Sequence, residues 1–333
     1  MKRDYLFDNM KAILIFFVVL GHYISTSATF DMGTFGGIIY IISFSFIMQG
    51  FLFVAGYFSK NVEKCRNTAL KTFLLPYLVL MPIMYIIRYA LYGNASINMT
   101  VPTMALWYLL NMFVYRFFIK DLAKIKYILP ISIFISLIAG LIPFLGVTLA
   151  LGRIFGFLPF FLLGYFCEKK HLKKIQRIPK AVGILTGIIL IAFSVFISNY
   201  NAIPLSAWYF KTAYINIGLN NLEGTSVRII LSIAALCWIG VFLILTPKKK
   251  TWLVTVGQNT LSVYILHIVI RYIVMANGIF NGQDGLTYLI ILTLAVISVW
   301  IFSRPKAAAA YQIFMDFFYR LLIKALQLIS QTN

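Results

Sequence analysis

Two of the three histidines in the chain, His22 and His267, fall inside long apolar segments. Ionisable side chains are costly within a membrane, so those found there usually serve a function. Imidazole is the side chain best suited to act as a general base near neutral pH. His171 lies instead among lysines between two apolar segments, where solvation explains it. None of the nine acidic residues falls inside an apolar segment, so no pair of carboxylates is predicted within the bilayer.

Lys11 precedes His22 by 11 residues. This spacing is close to three helical turns, so both side chains lie on one helix face, about 16 Å apart along the axis. Asp8 lies one turn before Lys11 and can pair with it. A cation at the membrane surface and an imidazole deep inside suit a ligand with an anionic head and a long, thin arm. A histidine bonded within the bundle and a lysine extended to the surface would explain the same pattern.

Arg153 lies a few residues into another apolar segment, and no acidic residue is near it in the sequence. Such a cation is expected to bind an anion, a carbonyl or a carboxylate of a ligand. The alternative is a guanidinium bonded to backbone carbonyls at a helix break. Arg88 and Arg271 lie nearer the ends of their apolar segments, and their side chains are predicted to extend to the membrane surface.

The composition predicts the fold that must position these residues, which is an all-α polytopic membrane bundle. Of the 333 residues, 61% are hydrophobic and 11% are charged, whereas soluble domains carry about 25% charged residues. A membrane-spanning helix needs about 20 apolar residues. The fourth and fifth of ten predicted spans are shorter, which indicates tilted or re-entrant helices. The spans are roughly 12–29, 37–58, 72–91, 104–119, 127–141, 146–167, 181–198, 226–246, 253–277 and 286–303.

The net charge of +20 is distributed as in a membrane protein and not as in a nucleic-acid-binding protein. Lysine and arginine cluster in alternate loops, which are cytoplasmic by the positive-inside rule. The other loops hold almost none, Lys211 being the clear case. This asymmetry requires an even number of spans and places both termini in the cytoplasm. The predicted cytoplasmic clusters are Lys2, Arg3 and Lys11; Lys60, Lys64, Arg66 and Lys71; Lys120, Lys124 and Lys126; Lys169, Lys170, Lys173, Lys174, Arg177 and Lys180; and Lys248, Lys249 and Lys250. Asp31, Glu223 and Asp284 are predicted outside.

The chain divides into a membrane domain, residues 1–303, and a tail, residues 304–333. The tail alternates apolar and polar residues at helical spacing, which predicts an amphipathic helix on the inner membrane surface. The first apolar segment is predicted to be a retained span and not a signal peptide. Three cysteines without paired spacing indicate neither a disulfide framework nor a metal site, and no metal is predicted.

Seven segments, in order along the chain, resemble the membrane-bound acyltransferase-3 family, and within it the fucose 4-O-acetylase-like branch. The first two segments contain the family's basic residue and histidine, which ten residues separate; here they are Lys11 and His22. Where the family has His, Pro and Ser in its second span, this chain has Ile47, Gln49 and Ala55. The segments are 8–13, 18–22, 46–58, 71–77, 106–109, 152–165 and 257–267.

The resemblance implies transfer of an acyl group, most often acetyl, from acetyl-CoA or another cytoplasmic acyl-CoA. The acceptor would be a hydroxyl of a carbohydrate, lipid or cell-envelope glycopolymer in a bacterial plasma membrane. A homo-oligomer or partners in envelope biosynthesis are left open. The implied catalytic residues are His22, Lys11, Arg153 and His267; those implied for CoA are Lys11, Arg66 and Lys71; those implied for substrate are Asp8, Trp107, Asn259 and Tyr264. Asn9, Tyr57 or a backbone carbonyl is expected to orient His22.

Two other functions fit the buried residues. A transporter or flippase for a polysaccharide or lipid-linked precursor also needs intramembrane histidine and arginine. Proton-coupled carriers usually use buried carboxylates, however, and no matching pair of broken spans occurs in the two halves. A structural or sensory membrane protein would tolerate replacement of His22.

Overall fold

A computed structural model describes residues 5–27, 30–280 and 285–332, and this part of the chain is all α-helical. Lys2, Arg3 and Asp284 of the charge argument lie outside the described residues. Fifteen α-helices occur within them: α1 Leu6–Ile24, α2 Phe35–Phe44, α3 Ile47–Tyr57, α4 Val62–Ala69, α5 Leu75–Tyr92, α6 Trp107–Leu122, α7 Ile128–Ala139, α8 Leu151–Phe166, α9 Lys169–Ile175, α10 Lys180–Tyr200, α11 Asn221–Leu245, α12 Leu253–Gln258, α13 Thr260–Ala276, α14 Gly285–Phe302 and α15 Pro305–Thr332.

Each of the ten predicted spans overlaps a helix. Seven helical stretches in the described ranges are long and apolar enough to cross a membrane, so the chain is a multi-pass membrane protein: Leu6–Ile24, Phe35–Tyr57, Val62–Tyr92, Thr148–Phe166, Lys180–Tyr200, Asn221–Leu245 and Gly285–Phe302. The remaining predicted spans correspond to α6, α7 and α13, with 16, 12 and 17 residues. The count of ten therefore stays a prediction.

The short α6 follows from the path of the chain before it. The segment after α5 folds back along that helix: Arg88 donates to the Ser96 carbonyl, and the Tyr77 hydroxyl donates to the Met99 carbonyl at 2.6 Å. Thr103 then contacts Tyr272 of α13 through its hydroxyl, 3.5 Å from the tyrosine oxygen. Because the chain returns along α5 before it turns, α6 starts beside that helix and not at its far end.

Helix α1 lies at the centre of the bundle and packs against α2, α3, α12, α13 and α14. Its approach to α12 is so close that a Cβ at Gly257 would lie 1.7 Å from the Asp8 carbonyl oxygen. Asn9 fixes the same contact, since its amide donates to the Pro247 and Lys249 carbonyls at 2.7 and 3.0 Å. These contacts anchor the start of α1, and His22 lies in the last turn of the same helix.

Helices α3 and α8 are in backbone contact through glycine. A Cβ at Gly164 would lie 1.9 Å from the Phe53 carbonyl oxygen. We expect Gly164→Ala to force the helices apart and to lower stability by about 1–3 kcal/mol, the usual cost of overpacking. Gly240→Ala on α11 is the control, because a Cβ there meets nothing within 4 Å. Thermal unfolding of the two purified variants measures the difference, and equal midpoints would contradict the prediction.

Candidate active site

The two intramembrane histidines are in direct contact, although 245 residues separate them in the sequence. Nδ1 of His22 lies 2.7 Å from Nε2 of His267, and the two rings are nearly coplanar, with an interplanar angle of 9° and centroids 5.0 Å apart. His267 is fully buried, whereas His22 is half-buried and lines a cavity. His22 therefore faces the cavity, and His267 lies behind it.

The hydrogen bonds determine which nitrogen of His22 is free. Nδ1 of His267 lies 2.9 Å from the Val263 carbonyl oxygen. A carbonyl oxygen only accepts, so this Nδ1 carries the proton and Nε2 of a neutral His267 is an acceptor. Nδ1 of His22 must then donate to it, which leaves the lone pair on Nε2 of His22. The pair therefore presents one unprotonated imidazole nitrogen, Nε2 of His22, and the acceptor for its Nδ1–H lies on α13. Asn9, one of the expected orienting groups, is instead bonded to Thr251 and to carbonyls after α11.

The cavity beside His22 has a volume of about 340 Å³. Three of its lining residues are cations, several are aromatic, and none of the described lining residues is acidic. It is lined by Val18, His22, Ser25, Phe30, Tyr40, Phe44, Ile47, Met48, Met104, Trp107, Arg153, Phe157, Trp208, Tyr209, Lys211, Tyr264 and Arg271. A cavity with this combination binds an electron-rich group against aromatic walls.

Two arginines point into the cavity from different helices. The Arg153 guanidinium lies over the Trp107 ring, 4.4 Å from its centroid, and Nε donates to the Tyr209 carbonyl at 3.3 Å. Nε of Arg271 donates to the His22 carbonyl at 3.1 Å. Neither arginine has a carboxylate partner among the described residues. Their terminal nitrogens are therefore available to a ligand carbonyl or oxyanion.

Arg271 is a correction to the sequence prediction, which extended its side chain to the membrane surface. It lies in the cavity wall because it follows His267 by four residues and shares its helix face. That spacing was a usable signal. Tyr40 and Tyr209, whose hydroxyl oxygens lie 3.0 Å apart in the wall, and Lys211 were also missed. No sequence motif marks these three residues.

The predicted substrate residues separate into two groups. Trp107 and Tyr264 line the cavity, and the Tyr264 hydroxyl donates to the Ala105 carbonyl. Asn259 and Asp8 do not line it. The Asn259 amide donates to the Ser303 carbonyl at 2.8 Å, where α12 gives way to α13, and Asp8 lies 3.2 Å from Lys11. A role for these two residues in substrate binding stays a prediction.

The residues predicted to bind CoA each have a carboxylate partner and do not line the cavity. Lys11 pairs with Asp8, and Arg66 pairs with Asp121. Lys71 lies in a π-helical turn, Leu70–Leu74, and its ammonium is 2.9 Å from Asp316 of the tail helix α15. A donor phosphate at these positions would replace or bridge an existing ion pair. In the described ranges, no three His, Cys, Asp or Glu side chains are grouped as a metal site requires.

The comparisons with known proteins identify the family of the chain. A family model described as an acyltransferase domain, Acyl_transf_3, matches residues 4–304. No curated protein and no solved structure matches the chain. The matched region contains both histidines, both cavity arginines and every helix that lines the cavity. The chain belongs to the acyltransferase-3 family of membrane acyltransferases.

Proposed function

We propose that the protein is an O-acyltransferase that moves an acyl group, most often acetyl, from acetyl-CoA or another acyl-CoA to a hydroxyl of a cell-envelope carbohydrate or glycolipid. The observation that carries the proposal is the bonded series Val263, His267 and His22, which leaves Nε2 of His22 facing a cavity with two arginines. The resemblance to the fucose 4-O-acetylase-like branch supports the carbohydrate acceptor and a bacterial plasma membrane.

In this mechanism the acceptor hydroxyl donates its hydrogen bond to Nε2 of His22. As His22 takes the proton, the hydroxyl oxygen attacks the thioester carbonyl carbon, and a C–O bond forms. The tetrahedral intermediate then breaks its C–S bond, and the proton on His22 passes to the departing thiolate. His22 ends neutral, so the cycle needs no further proton donor. General base catalysis of this kind typically contributes 10²–10⁴-fold.

The negative charge of the intermediate develops on the former carbonyl oxygen. Arg153 and Arg271 supply N–H groups in the same cavity, and the Trp107 stack and the two carbonyl bonds hold them in place. Donors already held in position cost no reorganisation when the charge develops, so they stabilise the transition state more than the ground state. The guanidiniums therefore take the oxyanion role, and His22 takes the role of the base.

The experiment measures release of CoA from acetyl-CoA by the purified protein in lipid nanodiscs, together with transfer of radiolabelled acetyl to an envelope polysaccharide fraction. We expect both activities. Their rates should fall as the acyl chain lengthens from acetyl to octanoyl, because the hydroxyl and the acyl group share one small cavity. A transporter would release no CoA. If the protein releases CoA from none of the acyl-CoA donors, the proposed function is rejected.

Replacement of Asp316 tests the prediction that Lys71 binds the CoA part of the acyl donor. Replacing it with asparagine frees the Lys71 ammonium, and we expect the KM for acetyl-CoA to fall by up to about fivefold, as for a partly exposed ion pair. The hydrogen bond and charge of Lys71 hold the pKa of Asp316 below its usual value. The carboxylate therefore stays charged from pH 5 to 8, and the difference between wild type and variant should be constant over that range. Asp31→Asn is the control, and an unchanged KM in Asp316→Asn would remove Lys71 from the donor site.

A further inference from the structure

Lys211 is the one cation of the cavity wall that the proposed mechanism does not use. Its side chain is half-buried beside Arg153 and has no carboxylate partner among the described residues. Burial, together with the charge of Arg153, lowers the pKa of the Lys211 ammonium. An ammonium in such surroundings is stabilised by an anion that enters the cavity.

The backbone around Lys211 holds it firmly in this position. A Cβ at Gly152 would lie 2.4 Å from the Lys211 carbonyl oxygen, so the start of α8 touches this loop directly. Phe210 adopts a left-handed conformation, with φ at 49°, and its ring stacks on Phe157. A bulky residue at positive φ is strained and persists where the surrounding structure enforces it. The strained turn directs the chain so that Lys211 borders the cavity.

A second group at the same wall also lacks a partner. The indole N–H of Trp208 is buried and bonded to nothing among the described residues. Both Trp208 and Lys211 line the cavity, and both side chains offer only donors. A buried donor without a partner costs free energy, so acceptor oxygens of a ligand beside Lys211 and Trp208 would be favourable.

The phosphates of acyl-CoA do not fit this role. The whole pantetheine arm separates them from the thioester, and the thioester must reach His22 in the same cavity of about 340 Å³. The acceptor is different, because a sugar can carry an anionic substituent a few bonds from the reacting hydroxyl. The anion that Lys211 would bind therefore belongs to the acceptor.

We propose that the acceptor is an anionic carbohydrate, whose carboxylate or phosphate ester binds Lys211 while a neighbouring hydroxyl donates to His22. This inference rests on the proposed function for the identity of the acceptor. Arg153 and Arg271 keep their proposed role of stabilising the acyl carbonyl oxygen. Lys211 is then the residue that selects charged over neutral sugars.

The test compares binding of three ligands that differ at one carbon: methyl glucoside, methyl glucuronoside and methyl glucoside 6-phosphate. Dissociation constants are measured without acyl donor for wild type, Lys211→Gln and Lys211→Arg. We expect at least one charged ligand to bind roughly tenfold or more tightly than the neutral sugar, as charge-assisted hydrogen bonds allow. The better of the two identifies carboxylate or phosphate as the preferred group.

Lys211→Gln should abolish this preference, and Lys211→Arg should retain most of it. Lys174→Gln removes an exposed lysine and is the matched control. Equal binding of the charged and neutral ligands by wild type, or no binding of any, would overturn the inference. So would a Lys211→Gln variant that keeps the preference. Because binding is measured without acetyl-CoA, a protein that binds charged sugars but releases no CoA would reject the proposed reaction and not this site.

Discussion

Replacing His22 with alanine is expected to lower acetyl transfer by roughly 10²–10⁴-fold, the usual contribution of a general base. The loss should appear in kcat, because His22 lines the cavity where the hydroxyl reacts and does not contact the predicted CoA cations. The KM for acetyl-CoA should change little. Steady-state CoA release and acetyl transfer by wild type and variant measure the two constants separately.

His171→Ala is the matched control for that experiment. His171 lies in the exposed helix α9, where Nδ1 accepts a hydrogen bond from the Glu168 N–H and completes a capping box. Its loss should leave transfer unchanged. A His22→Ala protein that folds, binds acetyl-CoA and keeps wild-type kcat would show that His22 is only part of the packing.

The sequence alone predicts the helical class and the depth of both histidines. Intramembrane histidine is rare and costly, and helical periodicity positions His22 relative to Lys11. The same reasoning does not predict the contact between His22 and His267, which depends on how α1 packs against α13. The sequence predicts Asn9, Tyr57 or a backbone carbonyl as the partner of His22, whereas the orienting acceptor lies 245 residues away in the chain.

The wall of the cavity shows why the rest of the site was missed. Arg153 was identified because a cation within an apolar span is unusual. Lys211 and Tyr209 come from the loop between α10 and α11, and their position depends on the Gly152 contact and the turn at Phe210. These are backbone contacts between distant segments, for which the side-chain pattern carries no signal. The fold-back before α6 is likewise set by tertiary hydrogen bonds from Arg88 and Tyr77.

Replacement of His267 is the second change expected to lower kcat strongly, because His267 determines which nitrogen of His22 is free. Replacing it with phenylalanine keeps a ring in the buried site but removes the acceptor for Nδ1 of His22. His22 can then adopt the other tautomer, with the proton on the nitrogen that should act as base. An incorrect tautomer of a catalytic histidine can cost up to about 10⁴-fold in kcat. We expect a loss of about 10²-fold here, since a neutral imidazole orients its partner less strongly than a carboxylate does.

His267→Gln separates orientation from packing. Its side-chain oxygen can accept from Nδ1 of His22, so this variant should retain substantially more kcat than His267→Phe. Nitrogen-15 chemical shifts of the His22 ring report the tautomer directly, and they should shift in His267→Phe but not in His267→Gln. Equal kcat values in the two variants, with an unchanged tautomer in both, would mean that His267 only fills space. His267→Gln could instead recover part of the kcat lost in His267→Phe and keep the wild-type tautomer of His22. That result would identify His267 as the residue that positions the base, although it never touches the substrate.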